Sequence, residues 1–228
     1  MKFIFVIPAR AGSKSIKGKN IKKIGKYSLI EYTFSTLKKI NNSLSFVLTD
    51  SLKIKKISKK YNVISDYDRP KSLSKSKTSL IDTLFHFTNW AIKKKFKFDY
   101  LVVLQPTSPL RNSLDLFKSI SIVKKNKYKS LFSISEVNEH PYEMINLSNL
   151  PRNNWNYILP DAKKYYRRQD YDINPFFING AIFIINKNLI LKKKLIDKKK
   201  HGFYRMPKSR SLDIDDKEDL LIAKKLLK

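Results

Sequence analysis

Phe3-Ile-Phe-Val-Ile-Pro-Ala-Arg-Ala-Gly-Ser-Lys-Ser-Ile-Lys-Gly-Lys-Asn20 is the stretch on which the fold reading turns. Phe3 to Ile7 is a continuous apolar run of the length expected for a strand buried on both faces. Pro8 ends it, because proline has no N–H to give to a sheet ladder. The loop that follows carries Gly12 and Gly18 among four cations, Arg10, Lys14, Lys17 and Lys19. Glycine lets backbone N–H groups come close to an anion, and the cations neutralise it. The same spacing also fits a basic surface turn after an edge strand. A Walker A loop is excluded: five residues separate Gly12 from Gly18, and Asn20 stands where Ser or Thr should follow the Lys.

Outward from this loop the chain alternates strands and helices. Ser28-Leu-Ile-Glu31 reads as a capping box, and apolar residues at helical spacing extend a helix to about Ile40. Leu44 to Thr49 predicts a second strand, and Ile54, Ile57 and Tyr61 one face of a second helix. Asp50 is expected to cap that helix, with a place near the ligand as the alternative. Ser79 predicts the cap of a long helix with Leu80, Leu84, Phe87 and Ala91 on its core face. Tyr100 to Leu104 is the clearest central strand, and it runs into the stiff polar loop Gln105-Pro-Thr-Ser-Pro-Leu-Arg111. Open α/β sheets place ligand contacts at such strand ends.

A helix from Leu114 and a strand at Leu131–Ile134 come next. Residues 136–175 then lose periodicity and carry four prolines, too long a stretch for a simple connector. Phe176 to Ile185 is a strong strand interrupted by Asn179-Gly180, a signal for a bulge. Leu212-Asp-Ile-Asp215 alternates apolar and acidic; as a strand it would put both carboxylates on one face, an arrangement suited to a hydrated Mg²⁺ with substrate phosphates. The alternative makes Asp215 or Asp216 the cap of a last helix, Lys217 to Leu227.

The first loop, read as Ile-Pro-Ala-Arg-Ala-Gly-Ser-Lys-Ser-Ile-Lys-Gly-Lys-Asn, resembles the signature of the acylneuraminate cytidylyltransferases, and Leu-Gln-Pro-Thr-Ser-Pro-Leu-Arg is similar to a second signature of that family. The resemblance implies a Rossmann-like α/β nucleotidyltransferase fold (glycosyltransferase-A-like), a three-layer sandwich with a mixed, mostly parallel sheet. It implies that Arg10, Ser13, Lys14, Lys19 and Asn20 wrap the triphosphate of CTP, with Arg69 and Ser79 at cytosine and ribose. Gln105 would touch the sugar, with Thr107, Ser108 and Arg111 shaping the site. Arg168 and Gln169, next to Arg167 and Asp170, match positions associated with the sugar's carboxylate, which a guanidinium fork can bind bidentately. Asn179 and Phe183 match an Asn and a Tyr that face substrate, Phe183 without the hydroxyl.

The match also favours Asp213 and Asp215 as Mg²⁺ ligands over a capping role. It implies an arm at 136–175 exchanged between the subunits of a homodimer. Further departures are Ala11 for a usual Gly and Ser15-Ile16-Lys17 for Gly-Ile-Pro. The expected reaction transfers CMP from CTP to the anomeric hydroxyl of a nine-carbon 2-keto sugar acid. Legionaminic, pseudaminic and other keto-acid sugars remain alternatives.

Composition sets the bounds. At 228 residues the chain fits one α/β domain, and 42% hydrophobic content argues for a packed core. The absence of cysteine excludes disulfides, thiolate catalysis and Cys-based zinc sites. A net charge of +29 would by itself point to nucleic acid or an anionic membrane. Its lysines, however, are spread along every segment, and filling of solvated positions by A/T-rich codons is the preferred reading. The runs at 93–95, 192–194 and 198–200 read as helix ends and loops. A non-catalytic nucleic-acid-binding protein is therefore the distant alternative. Five apolar residues after Lys2 are too few for a signal peptide and no run approaches the roughly 20 needed to cross a bilayer, so the expectation is a soluble cytoplasmic enzyme without a membrane partner.

Overall fold

A computed structural model of the chain describes residues 1–13, 15–40, 43–75, 77–147, 155–165 and 167–227. Strand β1 (Phe3–Pro8) leads through the cationic loop to a short hairpin, β2 (Lys23–Ile24) and β3 (Tyr27–Ser28). Helix α1 (Leu29–Lys38), strand β4 (Ser45–Leu48) and helix α2 (Leu52–Lys59) follow. Then come α3 (Leu80–Lys93), β5 (Tyr100–Val103), α4 (Ser113–Asn126) and β6 (Ser130–Glu136). A second hairpin, β7 (Ile145–Leu147) and β8 (Trp155–Tyr157), precedes β9 (Phe176–Asn186). The chain closes with α5 (Lys187–Leu191), β10 (His201–Arg205) and α6 (Lys217–Leu226).

The main sheet has the order β10-β6-β9-β5-β1-β4, and β9 alone runs against its neighbours. The apolar run of β1 works as a strand covered on both sides. Phe5 and Ile7 enter one core cluster with Phe34, Leu37 and Ile54 of α1 and α2. Ile4 and Val6 enter the other with Leu84 and Phe87 of α3. Each such side chain contributes about 1.5–3 kcal/mol relative to exposure, so a polar residue anywhere in this run would oppose the fold. The expected layers, helices on both faces of a mixed, mostly parallel sheet, are present.

Local signals explain the helix starts. Glu31 Oε2 accepts from the Ser28 N–H at 2.7 Å, completing the capping box of α1. Ser79 caps α3 and Asp216 caps α6. Ser51, not Asp50, caps α2 by accepting from the Ile54 N–H. Asp50 is taken by the first loop: its Oδ1 accepts from the Ala11 N–H at 2.8 Å.

Two further details shape the site. Opposite the step from Phe132 to Ile134, the register of β9 jumps from Phe183 to Ile178, and Gly180 within that bulge has a φ of 70°. Leu212–Asp215 is not a strand. It is extended chain after a turn at Lys208–Arg210, and its neighbour is the Gln105–Arg111 loop, which offers no ladder. One backbone bond, from the Ile214 N–H to the Thr107 carbonyl at 2.9 Å, ties it to that loop.

Candidate active site

The cationic loop is pinned at several points before any ligand is considered. Ile16 is buried with Ile24, Leu29, Ile214, Leu220 and Ala223, so the loop shares a small core with the acidic segment and α6. Asn20 Nδ2 donates to the Arg10 carbonyl at 3.1 Å, tying the two ends of the loop together. Gly18 sits in the left-handed region at φ 64°, immediately before the turn Lys19–Ile21. The Lys19 ammonium then donates to the Ile214 carbonyl at 2.7 Å and lies 3.3 Å from Asp215 Oδ1.

These elements border a cleft of about 480 Å³ at the C-terminal ends of β1 and β5. Arg10, Ser13, Lys19, Asn20, Arg69, Ser79, Gln105, Thr107 and Asp215 all line it. Sequence reading missed Lys75, Thr78 and Thr83 on the same walls; the polar loop after Arg69-Pro70 was the available signal for the first two. Arg69 is held by the Leu73 carbonyl at 2.6 Å and by Thr83 Oγ1 at 3.2 Å. Burial lowers its pKa, with Asp50 opposing, and the group stays a cation. Ser79 serves twice, as a cleft wall and as the α3 cap.

Arg111 supports the floor from below. It is 2% exposed, and its Nη1 donates to the carbonyls of Ala181 at 2.6 Å and Gln105 at 3.1 Å, while Nη2 donates to Thr33 Oγ1 at 2.8 Å. The guanidinium thus clamps the Gln105 loop to β9 and α1. Burial pushes its pKa down to about 10, which still leaves it charged at neutral pH. Gly180 stands beside Gln105 Oε1 and Asp213 Oδ2, which a Cβ there would meet at ordinary contact distances of 3.5 and 3.6 Å, so its left-handed φ and not space calls for glycine.

Asp213 and Asp215 differ in setting. Asp215 is exposed beside Lys19, whereas Asp213 Oδ1 is buried with no hydrogen-bond partner. Burial raises the Asp213 pKa, and the charge on Asp215 adds to the rise against the Thr107 hydroxyl and Lys19. Burial without a hydrogen-bond partner disfavours the charged form of this carboxylate.

The remaining sequence candidates lie elsewhere. Lys14 is outside the described residues. Ser108 is buried beneath the floor. Asn179 is buried, accepting from Ser133 Oγ at 2.6 Å and donating to Ser211 Oγ at 3.1 Å. Phe183 packs edge-on against Phe132, with ring centroids 4.6 Å apart. Arg168 and Gln169 belong to the segment between β6 and β9, where Glu143 already fills the Arg168 fork at 2.8 and 2.6 Å.

A cytidylyltransferase family model matches residues 4–226, which include both the cationic loop and the acidic segment facing it. The chain belongs to that family. An N-acylneuraminate cytidylyltransferase of Streptococcus agalactiae is 32% identical over 226 residues, covering 97% of this chain and 52% of that protein. The chain thus spans about half the length of that relative. A CMP-N,N'-diacetyllegionaminic acid synthase of Legionella pneumophila is 29% identical and covers 100% of this chain and 97% of its own. Among solved structures, a CMP:2-keto-3-deoxy-manno-octonic acid synthetase complexed with CTP superposes with a TM-score of 0.72. That match covers 100% of this chain and 98% of the other at 14% identity, a likeness of fold.

Proposed function

We propose that this chain transfers CMP from CTP to the anomeric hydroxyl of a sialic-acid-like 2-keto sugar acid, releasing pyrophosphate. The observation that carries the reading is the meeting of Lys19 with Ile214 and Asp215 in one cleft with Arg10, Arg69 and Gln105. Arg10, Lys14 and Lys19 offset charge on the triphosphate and on the leaving pyrophosphate, which is electrostatic stabilisation in a prebuilt site. Arg69 and Ser79 face the nucleoside, and Gln105 orients the sugar on the other side of the α-phosphorus. The residues that line the cleft supply positioning and charge, the two effects on which this reading rests.

The donor set fits Mg²⁺. Asp213 and Asp215 offer hard oxygen atoms, one of them buried and unpartnered. Among the described residues no group of three or more His, Cys, Asp or Glu forms a protein-only cage. Mg²⁺ held by two carboxylates, with water and phosphates as its other ligands, is the usual pattern for such an ion. When bound it would neutralise phosphate charge and favour ionisation of the attacking hydroxyl.

The segment 136–175 reads as an inserted arm on a single cytidylyltransferase domain. Leu147, Trp155, Ile158 and Phe177 expose apolar surface on and beside it, which supports pairing of two copies through the arm. Arg168 would then exchange Glu143 for the sugar carboxylate of the second copy's site, beside Gln169 and with Asn179 and Phe183 as backing. A cytoplasmic setting suits a reaction that consumes CTP; no helix among the described residues is long and apolar enough to cross a membrane.

The test is incubation with each of four nucleoside triphosphates, Mg²⁺ and a panel of keto-acid sugars, with mass analysis of the products. A CMP-sugar formed from CTP alone supports the reading, and the sugar that reacts chooses among neuraminic, legionaminic and pseudaminic acids. No nucleotide-sugar from any pair would overturn it.

A further inference from the structure

We propose that the end of the sheet opposite the nucleotide cleft is a docking face for an anionic lipid bilayer. The fold gathers there lysines that the sequence scatters. In a mostly parallel sheet the helices run back, so α1, α3 and α4 all end beside the N-terminal ends of β4, β5 and β6. Each of these ends is basic: residues 38–39, 93–95 and 124–125 are lysines, all exposed. The run 198–200 feeds β10 at the same end.

Backbone hydrogen bonds join the strand ends beside them, from β10 to β1, into one row. The Lys129 N–H donates to the Lys200 carbonyl at 2.8 Å, and the Asn186 N–H to the Lys129 carbonyl at 2.8 Å. The Lys187 N–H donates to the Asp99 carbonyl at 2.8 Å, and the Asp99 N–H to the Lys2 carbonyl at 2.9 Å. The row crosses from β10 to β1, and the full sheet of six strands is about 24 Å wide at ordinary strand spacing.

Acidic residues are placed the other way. Of 19 Asp and Glu, only Asp99 and Asp197 lie at this end, and both are engaged. Asp99 accepts from the Lys2 N–H at 2.7 Å, and Asp197 pairs with Lys129 at 3.2 Å. A lysine in the last turn of a helix is expected from the macrodipole. That does not explain the lysines beyond the helix ends. Nor does it explain Lys95 and Lys127, which hold left-handed φ values of 63° and 53° where glycine would be less strained.

The chemistry of the face favours lipid over nucleic acid. Among the described residues it carries no arginine and no exposed aromatic ring, the groups that fork onto phosphates and stack on bases. It does carry exposed Ile92 and Ile196 among the lysines, suited to the headgroup boundary. The arm leaves β6 at the other end, so pairing through it would keep the lysines free and the cleft facing away from the lipid.

Flotation with vesicles tests this. The folded chain is mixed with phosphatidylcholine vesicles, or with vesicles containing about a third phosphatidylglycerol, at low and at about 0.5 M salt. Binding is expected only to the anionic vesicles and only at low salt. A variant with Lys39→Gln, Lys94→Gln, Lys125→Gln and Lys199→Gln should bind them about tenfold more weakly or worse. A matched variant with Lys53→Gln, Lys118→Gln, Lys163→Gln and Lys224→Gln should stay within about twofold of wild type, because those lysines lie off this end. Equal losses in the two variants would overturn the proposal, as would equal binding to neutral vesicles. Preference for duplex DNA over anionic vesicles at matched phosphate would also overturn it. Thermal midpoints like wild type show that both variants are folded.

Discussion

The Lys19 ammonium lies 3.3 Å from Asp215 Oδ1 and 2.7 Å from the Ile214 carbonyl, joining residues 196 positions apart across one cleft. Its side chain is 11% exposed and that of Asp215 80%. The cation is therefore fixed by the fold while its acidic partner is free to turn to another ligand. Removing a fixed charge of this kind from a reaction centre lowers turnover by about 10²–10³-fold. Lys19→Ala should fall in that range in a CTP-dependent pyrophosphate-release assay while the chain stays folded. Near-normal turnover would remove the loop from the mechanism.

Asp213 makes the stability of the chain depend on pH. Burial lifts its folded pKa above the ordinary carboxylate value, so the native state binds that proton more tightly than the unfolded chain. Stability contributed by this group therefore falls as pH rises through the interval between the unfolded and folded values, and stays low above it. Asp213→Asn removes the buried charge. Its thermal midpoint without metal should exceed that of wild type at pH 7, and the gap should narrow as pH falls toward about 4. A lower midpoint for the variant at neutral pH would contradict the burial argument.

Asp115 and Arg210 hold the acidic segment in place from behind. Asp115 is fully buried, and Arg210 meets it with two bonds at 2.7 and 3.1 Å, with the Tyr204 hydroxyl donating at 2.8 Å. Burial pushes the Asp115 pKa up, but Arg210 and the Asn112 N–H outweigh it and keep the group below the ordinary range. Arg210→Ala would strand that charge and should destabilise the chain by about 3–5 kcal/mol in urea unfolding. Arg205→Ala removes an exposed pair with Glu136 and should lie within about 1 kcal/mol of wild type. Similar losses for the two would show that burial does not govern these pairs.

Much of this was readable in the chain. The apolar run of β1 can only be covered on both faces, and Asn179-Gly180 marks the bulge that stands beside Gln105 and Asp213. Leu212–Asp215 reads as a strand in the sequence and is extended chain in the structure. An alternating extended segment looks like a strand whether or not a neighbour ladders to it, and its neighbour here is a loop. Asp50 was read as a cap because Asp and Ser compete for that position; Ser51 takes it and frees Asp50 to brace the loop. The basic end of the sheet was invisible, because it exists only once helices return against parallel strands.

CTP titration of the wild-type chain and of Asp213→Asn, each with and without Mg²⁺, tests most directly whether the cationic loop and the carboxylates form one site. If they do, Mg²⁺ should tighten CTP binding by about tenfold or more in wild type and leave the variant unchanged, because a ligand of the ion is gone. The same gain from Mg²⁺ in both proteins would contradict it.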